Sequence, residues 1–316
     1  DEIHAYDAYT GTLLIHAIRW QRALGSSVIL LSATLPPEFR RRLANALGTK
    51  LPAEEKKYPR LTVFSGNSCK QKHFEADATR GRDVVISGID PSIDSLKATI
   101  DTQLSGNGFV GVIVNTVQRA QELYVTFGTG DKIYSDEVVV GKRLSDGTEI
   151  YLFHARYPAQ ERQKREDTVR AVYGKNEGPD GKIKNRSGRQ ILIATQVAEQ
   201  SLDLDFDMMV TDLAPIDLVL QRAGRLWRHE REFRPFDRPL LFVAGLEGEK
   251  QGSFGGPLWW NKVYSREDIL LRTWDCLKVK EKRKEILRLP DEIDDLVRDV
   301  YDQVHYPDDA EILQRL

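Results

Sequence analysis

The residues best able to do chemistry fall in short clusters. Asp1-Glu2-Ile3-His4 opens the sequence with adjacent carboxylates. Such a pair at a strand end suits two tasks: one carboxylate can hold the Mg²⁺ of a nucleotide, and the other can position or deprotonate an attacking water. Gln221-Arg222-Ala223-Gly224-Arg225-Leu226-Trp227-Arg228 is the most specific cluster. Read as part of a helix over about Ile216–Trp227, it sets Arg225 and Arg228 at i, i+3 on one face, with Gln221 one turn before Arg225. Two guanidiniums presented together can neutralise charge on a γ-phosphoryl group in transfer, an effect typically worth about 10³–10⁵ in rate.

Four further clusters each follow an apolar run: Ser32-Ala33-Thr34 after Val28–Leu31, Asn115-Thr116 after Val110–Val114, His154-Ala155-Arg156 after Ile150–Phe153, and Thr195-Gln196, leading on to Asp203, after Ile191–Ala194. Taken singly, each is an ordinary turn behind a strand, and a lone histidine such as His154 is more often a structural hydrogen bonder than a ligand. Together they place amides, hydroxyls and a guanidinium at one edge of one parallel sheet. Ligands bind at that edge in open α/β sheets, and such groups suit a phosphate backbone.

The elements that must position these residues can be read from hydrophobic period. Ile93, Leu96, Ile100 and Leu104 make a helical stripe, as do Ala120, Leu123, Tyr124 and Phe127, and Pro158 opens a helix running to about Tyr173. Between and after them come strands at Val110–Val114, Ile150–Phe153, Ile191–Ala194, Met208–Asp212 and Leu240–Val243. Upstream, a helix around Leu13–Ile18 precedes a strand at Val28–Leu31. A second helix follows Pro36-Pro37, and strands follow at Leu61–Phe64 and Val84–Ile86. Strands separated by helices predict right-handed crossovers and an α/β fold with a parallel sheet flanked by helices. Gly128–Gly147 and Gly174–Gly188 read as insertions or loops, and a helical tail follows Gly245.

Composition bounds the reading. The 316 residues carry 46 basic and 48 acidic side chains, a formal charge of −2, with 41% hydrophobic residues. The length fits more than one domain, and the absence of any long apolar run predicts no membrane span. Two distant cysteines, Cys69 and Cys276, fit a reducing, cytoplasmic setting rather than a disulfide framework. Near-neutral charge confines any nucleic-acid contact to local patches. Lys278–Lys284, Lys182–Arg189 and Arg40–Arg42 could each touch phosphates but read first as solvated faces and loops, and Trp259-Trp260 could stack on bases but read first as anchors of a core.

The clusters resemble the motifs of superfamily 2 helicases: Walker B at Asp1–His4, motif III at Ser32–Thr34, motif V at Ala194–Asp203 and motif VI at Gln221–Arg228. The finer wording, in Asp1–Asp7, Leu31–Pro36, Val114–Ala120, Phe153–Tyr157, Gln196–Asp205, Leu270–Trp274 and Leu289-Pro290, resembles the helicase–nuclease of type I CRISPR systems. The resemblance implies a RecA-like fold in three parts: the end of a first lobe (1–85), a second lobe (86–246) and a linker or accessory helical region (247–316). It implies ATP and Mg²⁺ as cofactors, single-stranded DNA and an RNA-guided surveillance complex as partners, and ATP-driven 3′ to 5′ translocation.

By the same resemblance Glu2, Gln221, Arg225 and Arg228 act in catalysis, Glu2 on the attacking water, and Asp1, Asp203, Arg225 and Arg228 face the nucleotide, Asp1 holding its Mg²⁺ through water. Ser32 and Thr34 couple nucleotide state to lobe movement. Asn115, Thr116, His154, Arg156, Thr195 and Gln196 hold the nucleic acid. The sequence holds no G-x-x-x-x-G-K-[ST] loop, and none of its six histidines is followed by Asp, as the family's nuclease requires. A chain opening inside a motif is therefore expected to be a piece of a longer parent, lacking the Walker A half and the nuclease, and inactive alone. Two other readings fit the residues: a non-catalytic lobe that binds DNA or protein, and an RNA helicase of the same superfamily.

Overall fold

The computed structural model describes residues 8–32, 34–52, 58–75, 81–175, 186–199, 202–246, 263–264, 266–277 and 285–302. Asp1, Glu2, Trp259-Trp260 and Lys278–Lys284 lie outside them. The chain forms two compact units, one of Asp1–Arg82 and Arg288–Gln314, the other of Asp83–Leu287 and Arg315–Leu316. Among the described residues no helix is long and apolar enough to cross a membrane.

The first unit contains helices α1 (Ala8–Ala23), α2 (Pro37–Ala46) and α8 (Ile293–Tyr301) and a hairpin of β1 (Arg60–Ser65) and β2 (Ser68–His73). Ile15, Ile18 and Leu43 form its core, with Leu14, Phe39 and Leu47 packed around them. Pro37 opens α2, where its missing N–H leaves no bond unmade. Helix α8 packs on α2, and Arg41 pairs with Asp302 at 2.9 Å. The run Val28–Leu31 is not the strand its apolar sequence predicts. A strand needs a ladder partner, and among the described residues none pairs with this run, which leaves Val28, Ile29 and Leu31 exposed.

The second unit is built on a sheet of order β11–β3–β10–β9–β4–β8–β7–β6–β5. Its strands are β3 (Arg82–Ile89), β4 (Gly108–Ile113), β5 (Asp131–Ser135), β6 (Val138–Arg143), β7 (Glu149–Phe153), β8 (Arg189–Ala194), β9 (Met208–Asp212), β10 (Leu240–Ala244) and β11 (Ile286–Leu289). From β3 across to β7 neighbouring strands are parallel. The central strands β4 and β9 are buried at every position, which explains their unbroken apolar sequences. Helices α3 (Ile93–Gln103), α4 (Val117–Thr126), α5 (Ala159–Tyr173), α6 (Ile216–Ala223) and α7 (Glu267–Leu277) complete the unit. Leu96, Ile100, Ala120 and Leu123 pack with Val110, Val112, Ile191 and Val210 in one core.

The glycine-rich stretch Gly128–Gly147 is not a loop. It holds the antiparallel hairpin β5–β6, which extends the sheet beyond β7. A Cβ at Gly141 would come within 2.6 Å of the Ile150 carbonyl oxygen, so this glycine permits close strand approach. Lys142 turns inward and donates to the Tyr124 and Gly128 carbonyls at the C-terminal end of α4.

Candidate functional site

Because β4, β7, β8 and β9 run parallel, the residues that follow them gather at one end of the sheet. The Asn115 backbone N–H donates to Asp212 Oδ2 (2.9 Å), and its side-chain amide donates to the Leu213 carbonyl (2.8 Å). Gln196 donates from Nε2 to the Asn115 carbonyl (3.1 Å), and the Thr195 N–H reaches the Phe153 carbonyl (3.2 Å). Thr116 caps α4 by accepting from the Arg119 N–H at 3.2 Å. Asp212 is fully buried and paired with Arg119 at 2.9 Å.

His154 is buried and stacks on Tyr157 with ring centroids 4.1 Å apart; its Nε2 lies 3.4 Å from Gln121 Nε2. Burial, and then the nearby Arg165 charge, lower its pKa, so it is neutral at pH 7. Of the six residues expected to hold nucleic acid, Asn115, His154 and Thr195 are buried, while Thr116 and Gln196 are part-exposed and Arg156 is exposed. In the first unit, Ser32 donates from its hydroxyl to the Thr34 carbonyl at 3.2 Å, and Thr34 is buried.

The arginine cluster differs from its sequence reading. Helix α6 ends at Ala223, and Leu226 leaves it to bridge to Phe206. Trp227 takes a positive φ of 50°, so Arg225 and Arg228 do not share a helix face. Arg225 is buried and donates to the Leu202 and Glu199 carbonyls of the preceding loop. Arg228 is 42% exposed and pairs with Asp203 at 2.6 Å, and His229 lies 3.2 Å from the same carboxylate. The expected nucleotide-facing residues Asp203 and Arg228 are thus in direct contact.

Three residues with large roles escaped the sequence reading. Arg222 is fully buried and pairs with Glu199 at 2.5 Å; it also donates to Thr211 Oγ1 (2.6 Å) and to the Asp212 carbonyl (2.9 Å). Burial works against its charge, but Glu199 and then Tyr264 more than offset this and hold its pKa above the ordinary value. The other two are Asp205 and Asp207, both buried. Asp205 accepts from Arg231 (2.5 Å), Arg234 (3.0 Å) and the Arg228 N–H (2.9 Å), and lies 3.4 Å from Arg186. Asp207 pairs with Arg234 at 2.6 Å and accepts from the Phe109 N–H at 2.8 Å. These bonds hold the turn in which α6 stops. The available signal was Asp203, Asp205 and Asp207 alternating with Leu204 and Phe206, upstream of an arginine-rich stretch.

Asp1, the residue expected to hold Mg²⁺, and Glu2 lie outside the described residues. Among the described residues no group of three His, Cys, Asp or Glu side chains gathers as a metal would require.

Known proteins share this sequence and fold. A family profile described as CRISPR-associated nuclease/helicase Cas3, C-terminal, matches residues 106–231. The CRISPR-associated endonuclease/helicase Cas3 of Thermus thermophilus is 40% identical over 339 aligned residues, covering 96% of this chain and 34% of that protein. A crystal structure of T. fusca Cas3 with AMPPNP superposes with a TM-score of 0.80 at 30% identity, covering all of this chain and 36% of that one. A chain in a pre-nicking CRISPR RNA-guided surveillance complex gives 0.74 at 28% identity, covering all of this chain and 38% of that one. The chain spans about a third of the length of the curated relatives it matches. Its strand-end motifs, its sheet and its relatives agree, and the chain belongs to the CRISPR-associated nuclease/helicase family Cas3.

Proposed function

We propose that this chain is part of the motor of an ATP-driven translocase that moves 3′ to 5′ on single-stranded DNA in CRISPR interference. In this reading residues 86–246 are the second RecA-like lobe, 1–85 the end of the first and 247–316 the accessory region. The observation that carries it is the gathering of Asn115, Thr116, Arg156 and Gln196 at one sheet end, tied through Glu199 to the α6 turn that bears Arg225 and Arg228. The polar sheet end faces the DNA backbone, and Asp203 and Arg228 face ATP. Ser32 and Thr34 couple nucleotide state to lobe movement, and the roles assigned above to Asp1 and Glu2 are part of the proposal.

A cytoplasmic protein recruited by an RNA-guided surveillance complex fits two cysteines that form no disulfide and the complex in which a relative is seen. With no phosphate-cradling loop in its sequence, this polypeptide alone is expected to bind without turning over ATP.

The geometry separates the two arginines. Arg225 is spent on the carbonyls of the loop that carries Thr195 and Gln196, so its loss disturbs DNA grip as well as hydrolysis. The Arg228 guanidinium pairs with the exposed Asp203 carboxylate, and exchanging that partner for a γ-phosphate leaves the loop intact. In the full-length protein Arg228→Ala should lower DNA-stimulated ATP hydrolysis by about 10²-fold or more and leave single-strand affinity within a few-fold. Arg225→Ala should impair both. An equal loss of affinity in Arg228→Ala would refute its assignment to the phosphate.

A further inference from the structure

Tyr264 lies between β10 and α7, in the region read from sequence as accessory. Its hydroxyl stands among three separate parts of the second unit. It donates to Asn115 Oδ1 behind β4 (3.1 Å) and accepts from Arg222 Nη2 of α6 (3.2 Å), and Gln196 behind β8 joins the same group by donating to the Asn115 carbonyl (3.1 Å).

The directions are fixed by the neighbours. Asn115 commits its amide N–H to the Leu213 carbonyl, so its Oδ1 faces Tyr264 as an acceptor and takes the hydroxyl proton. The phenol oxygen is then left to accept from Arg222, which has no acceptor of its own. Burial raises the Tyr264 pKa, which keeps the proton in place at neutral pH. An unbroken polar chain therefore runs from the Leu213 carbonyl through Asn115, Tyr264 and Arg222 to Glu199, whose carbonyl holds Arg225.

We propose that Tyr264 is a positioning residue that transmits DNA occupancy of the sheet end at Asn115 and Gln196 to the arginines following α6, and so links DNA binding to hydrolysis. This rests on the proposed motor function. A base or phosphate drawing on the part-exposed Gln196 changes what Gln196 offers the Asn115 carbonyl, the shift of Asn115 changes how its Oδ1 takes the hydroxyl proton, and the hydroxyl changes what it offers Arg222. Coupling between two sites is typically about 5–150-fold in the affected equilibrium, and a chain of oriented bonds with a charged donor suits that size.

The test compares full-length wild type with Tyr264→Phe, which removes the hydroxyl and keeps the ring. ATP hydrolysis is measured without DNA and with saturating oligodeoxythymidine, alongside oligonucleotide affinity by fluorescence anisotropy. The expected result is a stimulation factor reduced about fivefold or more, with the DNA-free rate and the affinity within about twofold of wild type.

Stimulation kept within about twofold would overturn the inference. So would a proportional fall in the DNA-free and stimulated rates, the mark of a merely structural residue. Should Tyr264→Phe not fold, Tyr264→Met also removes the hydroxyl while filling the site, and is read by the same criteria. A wild-type protein whose hydrolysis ignores DNA would instead overturn the motor function, and this inference with it.

Discussion

Tyr173 is fully buried, yet its hydroxyl meets no hydrogen-bond partner among the described residues. Its ring sits edge-on to Phe109 (5.6 Å between centroids) and Tyr151 (6.1 Å) and tilted against Phe206 (5.3 Å), so the ring supplies the packing. Burial raises the pKa of this phenol far above its ordinary value. Arg222 is equally buried but has acceptors for its guanidinium on Glu199, Thr211, Asp212 and Tyr264. The contrast decides which polar atoms stabilise the fold. Leaving a buried hydroxyl unsatisfied costs about 1–3 kcal/mol, so Tyr173→Phe should raise stability by about 1 kcal/mol and the melting temperature by a few degrees. Thermal unfolding checks this, and a lowered melting temperature would show that the hydroxyl has a partner.

At the level of elements, what was legible in the sequence was what packing alone determines. Strands β4 and β9 are buried on both faces and read as apolar runs, and α3 and α4 carry their stripes behind Ser92 and Thr116 caps. The glycines and charges of hairpin β5–β6 mimic a loop in sequence. Gly141 is there for a close strand approach, and Lys142 is buried against backbone carbonyls. Helical spacing continues through Trp227, but α6 ends at Ala223 because Asp205 and Asp207, remote in sequence, capture the following backbone and arginines. For the same reason the sequence does not show that Asn115 and Thr195 are buried and spend hydrogen bonds on neighbouring strand ends. The hairpin gives a test. Gly141→Ala forces β6 away from the Ile150 carbonyl and should destabilise the protein by about 1–3 kcal/mol, read as a lower denaturation midpoint. Hydrogen exchange should rise in β5 and β6 while β4 and β9 keep their protection. Uniform loss of protection would mean that the hairpin is integral to the core.

For the whole molecule, the near balance of 46 basic and 48 acidic residues hides a partition. Arg119, Arg186, Arg222, Arg231 and Arg234 are committed to the buried or nearly buried carboxylates Asp212, Glu199, Asp205 and Asp207. Cations so paired do not displace counterions from a phosphate chain. At the sheet end the exposed cation among the candidate contacts is Arg156, while His154 beside it is neutral at pH 7 because burial and Arg165 lower its pKa. Affinity for single strands should therefore depend on salt through few groups, each contributing about 0.7 to the slope of log K against log salt. Arg156→Ala in the full-length protein should make that slope shallower by about 0.7, whereas Gln196→Ala should weaken binding and leave the slope unchanged. Anisotropy titrations of oligodeoxythymidine across a salt series at pH 7 and pH 8 make the comparison. The two pH values should give the same slope, because a neutral His154 releases no counterion at either. An unchanged slope in Arg156→Ala would place the DNA path away from the end of β7, and a slope that falls from pH 7 to pH 8 would assign phosphate contact to a protonated histidine.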